Sequence, residues 1–137
     1  MSQSAEWRLI DLDSGRCIAE RVELAASWWN RLRGLIGRKE FCAAQALVLR
    51  PCSAIHTIGM RFPIDVLFLD HRGTVQRVVE QVRPQRIGPI HWKSQIVIEL
   101  PAGTVRQFGL APGCRLALCR ADGERVPWQD NSVTEPF

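Results

Sequence analysis

His56, Thr57, Met60, Arg61 and Asp65 fall within ten positions of one another, inside the otherwise apolar run C-S-A-I-H-T-I-G-M-R-F-P-I-D-V-L-F-L-D that spans Cys52–Asp70. An imidazole can act as acid, base or metal ligand near neutral pH, and a guanidinium grips carboxylates or phosphates in a fork. Polar groups in an apolar run have to be paired, hydrogen-bonded or put to use, because burying them bare is costly. The alternative for His56 is a core imidazole hydrogen-bonded to the backbone or to Asp65.

Asp65 poses the sharper question. Successive side chains on a strand face opposite ways, so on Ile64–Leu69 it shares a face with Leu67 and Leu69. Arg61 or His56 is its expected partner. Glu99 repeats the pattern inside Ile96–Leu100, on the face of Val97. Two such carboxyls with a histidine fit acid–base chemistry or a hard-metal site. They fit structural ion pairs with Arg61 or Arg31 better, since such networks also place charges among apolar strands. Cys52, His56 and Met60 recur every four residues, a soft ligand set suited to copper(I). Pro51, Gly59 and Pro63 argue against one regular element presenting all three, so no metal is assigned. Cys52 with His56 as nucleophile and base lacks any neighbouring oxyanion feature. No cofactor is assigned.

These residues need a scaffold. Residues 6–23 read as a β-hairpin turning at Asp13-Ser14-Gly15, with Cys17–Val22 as its return strand. Residues 27–37 read as the one convincing helix, with Ser27 as N-cap and Gly37 as its left-handed stop. Further strands are expected at Ala46–Leu49, Ile64–Leu69, Val75–Val82, Gln95–Leu100 and Arg115–Arg120, with a short helical turn in Thr104–Leu110. Ile64–Leu69 is apolar on both faces, the mark of a central strand. Residues 83–94 read as a loop in which Arg83, Arg86, His91, Trp92 and Lys93 interleave. Such a loop can bind single-stranded nucleic acid or a sugar phosphate, but the simpler reading is a solvated loop with Trp92 tucked into the core. Short strands with frequent turns give a mainly β fold: a compact sandwich or partly closed barrel. Residues 1–126 are expected to form one domain, and 127–137 a loose tail with Trp128 and Phe137 as anchors.

Composition bounds the function classes. The 137 residues are 46% hydrophobic and 23% charged, ordinary for one globular domain. The formal charge of +4 is modest, which argues against nucleic acid as a partner. Of 18 cations only Lys39 and Lys93 are lysine. The five cysteines show no C-x-x-C pair, so a zinc site is not indicated. No leader-like or membrane-spanning segment is read, and a cytoplasmic protein with reduced thiols is expected.

Three stretches together resemble the prokaryotic family catalogued as domain of unknown function 192. They are Arg31-x-x-Gly34-Leu35-Ile36-Gly37-Arg38, the segment Cys52–Asp70 with its Ile55-His56-Thr57, Gly59-Met60 and Phe62–Val66 blocks, and Ile98–Thr104. The likeness covers roughly residues 20–120. Asn30 stands where that family often carries Glu, and Ile36 where Met is more usual. The resemblance implies a compact β-sandwich related to the jelly roll; it brings no activity. The leading expectation is then a small polar or anionic ligand, a carbohydrate among the candidates, bound by His56, Thr57, Met60, Arg61 and Asp65. The alternatives are a hydrolase using His56, Asp65 and Glu99, with or without metal, and a protein–protein interaction module in which the motif is purely structural and Trp28, Trp29 or Trp92 is the exposed anchor.

Overall fold

The computed structural model describes residues 7–25 and 38–128. The helix expected at 27–37, with Arg31, Trp28 and Trp29, lies outside the described residues, as does Phe137. The chain order is β1 (Trp7–Asp11), β2 (Cys17–Ala19), β3 (Arg21–Ala25), β4 (Gln45–Leu49), β5 (Ala54–His56), β6 (Ile64–Leu69), β7 (Val75–Val82), β8 (Ile87–Ile90), β9 (Ile96–Pro101), α1 (Thr104–Phe108), β10 (Leu116–Arg120) and β11 (Arg125–Val126).

The strands build a mainly β sandwich, with no closed barrel among the described residues. One sheet runs β11-β10-β1-β2, a second runs β3-β4-β9-β6-β7, and β5 with β8 forms a separate ribbon. The expected hairpin is present, but its return strand does not continue to Val22. It breaks at Glu20, and β3 crosses to the second sheet, where it pairs in parallel with β4. The amides of Glu20 and Arg21 both donate to the Ala44 carbonyl at that crossing.

The second sheet is covered on both sides, which is why its central strands are unbroken apolar runs. Leu67, Leu69, Ile98 and Leu100 face the first sheet and pack with Leu9, Ile18, Leu118 and Trp128. Val66, Phe68, Val97, Leu47 and Leu49 face the other way, under Ile55 and Met60 with Phe41 and Phe62 alongside. Trp128 anchors the chain as expected: it is buried, and its indole N–H donates to the Leu116 carbonyl at 2.9 Å. The expected loop at 83–94 is corrected in part, because β8 forms within it by pairing antiparallel with β5.

Candidate functional site

Asp65 lies on β6, opposite Leu100 of β9, and is wholly buried. Its carboxyl reaches neither Arg61 nor His56. Oδ1 accepts the Gln81 amide at 2.9 Å; Oδ2 accepts the amides of Gly103 at 3.0 Å and Val105 at 2.9 Å. Each donor needs an acceptor for a local reason. On the β6–β7 ladder, Ile64 pairs with Val82 and Val66 with Val79, so Glu80 and Gln81 oppose Asp65 alone. That is a β-bulge, which leaves a backbone group unpaired. The first amides of a helix likewise lack acceptors, and α1 has no local side-chain cap. One carboxyl thus ties the bulge in β7 to the start of α1.

Thr57 is also wholly buried and fully used. Its hydroxyl donates to the Arg83 carbonyl at 2.6 Å and accepts from the Arg86 amide at 2.9 Å. Its carbonyl accepts the amides of Met60 and Gln85. Met60 is packed in the second core. Of the five residues expected to bind a ligand, Thr57, Met60 and Asp65 therefore face inward and build the joint between 56–65 and 81–105. Arg61 is exposed.

His56 sits across from Ile87 in the ribbon. Because Ile55 enters the second core, His56 takes the outward face. It is half-buried, and its Nδ1 is buried without a hydrogen-bond partner. Met60 lies past the ribbon, packed in the second core that His56 does not join, which argues against a Cys52–His56–Met60 ligand set. The Cys52 thiol donates to the Ala54 carbonyl at 3.0 Å.

Glu99 pairs across to Val66 and to Leu47 and so lies in the second core, on the opposite face of the sheet from Asp65. The two carboxyls do not converge with His56 on one site, which was the geometric requirement of the hydrolase reading. Glu99 is 3% exposed, and Oε2 has no hydrogen-bond partner. Burial pushes its pKa up to about 8, against a smaller opposing pull from Arg38. Arg38 is itself held by Glu23 through two hydrogen bonds of 3.1 and 2.6 Å. Among the described residues no group of three or more His, Cys, Asp or Glu is placed to hold a metal ion.

The conspicuous surface lies elsewhere. Ile87 is 85% exposed and Trp92 82%, with Ile58 and Ile90 also exposed. The expectation that Trp92 is tucked into the core is thus overturned. Ala54 pairs with Ile90 and His56 with Ile87 on the outward face of the ribbon. Trp92 and Ile58 lie just past the strands, in the turns His91–Ser94 and Thr57–Met60.

Solved structures share this fold. A crystal structure of a protein from Sinorhizobium meliloti 1021, provisionally named a transcription regulator, superposes with a TM-score of 0.68 at 29% identity, over 82% of this chain and 91% of that one. A protein of unknown function from Novosphingobium aromaticivorans DSM 12444 gives a TM-score of 0.69 at 19% identity, over 81% and 82%. No curated protein matches the chain. The family profile described as an uncharacterized ACR, domain of unknown function 192, matches residues 10–118, and the chain belongs to that family.

Proposed function

We propose that the protein is an interaction module, and that its docking face is the outward side of the β5–β8 ribbon. The observation that carries this is the pair of large apolar side chains left more than four-fifths exposed, Ile87 on β8 and Trp92 in the turn that follows it. Contiguous exposed apolar side chains with polar surroundings mark interaction sites, and tryptophan is enriched among residues that dominate binding. The ligand-cleft reading retains only exposed Arg61 and half-buried His56. The Ile55–Asp65 motif is then what holds the ribbon in place: Thr57 fixes 83–86, and Asp65 fixes the bulge from which the chain runs on to β8.

A photo-crosslinking residue at position 87, compared with one at exposed Gln107 in the same cells, tests the reading. A discrete adduct specific to position 87 is expected. Equal or absent adducts at the two positions would refute it.

A further inference from the structure

The charges around the ribbon narrow the partner. Between Glu40 and Asp65, and again between Glu80 and Glu99, the sequence has no Asp or Glu. Asp65 and Glu99 are both buried, so they put no negative charge on this surface. Arg61, Arg83, Arg86 and Lys93 fall in the two stretches and are exposed. Among the described residues the ion pairs are Glu23–Arg38 and Asp13–Arg115, and neither involves these four cations. Exposed apolar side chains with exposed cations beside them in the chain, Arg86 next to Ile87 and Lys93 next to Trp92, complement a surface of the opposite sign. Resting on the docking reading above, we propose that the ribbon receives an acidic, apolar segment of a partner protein. Its aliphatic or aromatic side chains cover Ile87, Ile90 and Trp92, while its Asp and Glu meet Arg61, Arg83, Arg86 and Lys93.

Other occupants fit less well. A second copy of the chain would set the same cations against each other. A lipid surface would have to accept the free edge of β8 with its backbone groups, which hydrocarbon cannot satisfy. Single-stranded nucleic acid uses successive aromatic platforms, and here Trp92 stands among isoleucines. Strand addition is blocked at the same edge: Pro89 has no N–H to give, and the Ile90 carbonyl already accepts Arg77 Nη1 at 2.7 Å. Recognition falls to the side-chain face.

The test is selection of phage-displayed random peptides on the full chain, with counter-selection on the Trp92→Ala/Ile87→Asp double variant. Both positions are exposed, so that variant should keep the fold, checked by its melting curve. Enriched peptides should combine Asp or Glu with Leu, Ile or Phe. A synthetic copy should lose about tenfold or more in affinity on Arg83→Glu/Arg86→Glu, and should weaken at high salt. Enriched peptides without net negative charge, or binding indifferent to Arg83→Glu/Arg86→Glu, would overturn the proposal. So would oligo(dT), phosphatidylserine-containing vesicles or a second copy of the chain binding more tightly than the peptides and being lost in the same double variant. An adduct at position 87 with non-acidic peptides would sink the partner class alone. No position-87 adduct and no peptide sensitive to Trp92→Ala would sink the docking reading itself.

Discussion

Asp65→Asn separates a structural carboxyl from a chemical one. The side chain accepts three backbone N–H groups, one on Oδ1 and two on Oδ2. An amide keeps one oxygen and turns its NH2 toward an N–H that had been accepted. If the oxygen serves Gly103 and Val105, the Gln81 amide faces a donor. The lost bond is worth about 1 kcal/mol, and an orphaned buried N–H costs about 1–3 kcal/mol more. The expected loss is about 2–4 kcal/mol, against a total of about 5–15 kcal/mol for a typical domain. For a chain of this length that lowers the midpoint by roughly 5–15 °C. Thermal and urea unfolding followed by circular dichroism measure it. Hydrogen exchange should rise first at Gln81, Gly103 and Val105, the amides that the carboxyl holds. A variant that melts with the wild type, with those amides still protected, would refute the clamp and return Asp65 to the candidates for chemistry.

Three more perturbations have defined outcomes. Glu99 has a folded pKa of about 8 against an ordinary 4.5, so between those values the native state holds a proton that the unfolded chain has released. Stability is then full below about 4.5 and falls as pH rises toward about 8, by at most about 1.4 kcal/mol per unit; urea midpoints across that window should show the slope in the wild type and not in Glu99→Gln. Thr57→Val removes the acceptor of the Arg86 amide and the donor to the Arg83 carbonyl, costing about 2 kcal/mol and deprotecting residues 83–86 in hydrogen exchange. Gly73→Ala drives a methyl into the Trp128 indole at a positive φ of 90°, costing about 3 kcal/mol or more, with Trp128 fluorescence shifting toward that of an exposed indole.

Much of the sandwich was readable because its strands obey local rules. Ile64–Leu69 and Val75–Val82 fall where the apolar run and the Asp70-His71-Arg72-Gly73 turn put them, and the short helix starts at Thr104. β8 was not readable: a segment with Gly88, Pro89 and flanking arginines has little strand propensity, and its partner β5 lies some thirty residues earlier. The change of sheets at Glu20 was hidden for a similar reason, since Ala44 supplies the acceptors there. That Asp65 needed partners was legible; that they would be backbone amides on a bulge and a helix start was not, because only the assembled fold brings residues 81, 103 and 105 to it. Trp92 misled because tryptophan is highly buried on average, and its neighbours give no sign that it has no interior to enter.

The order of strands in the first sheet has a consequence for synthesis. β1 lies between β2 and β10, and Trp7 pairs with Arg120. The hairpin of β1 and β2 leaves the ribosome early and then waits for β10. At about 5–20 residues per second that wait is on the order of 5–20 s. Throughout it Trp7 and Leu9 lack the strand that flanks them, and until β9 is made the second sheet that covers them and Ile18 is incomplete. The nascent chain is therefore a sticky object for most of its translation, and any truncation before β10 would leave it one permanently.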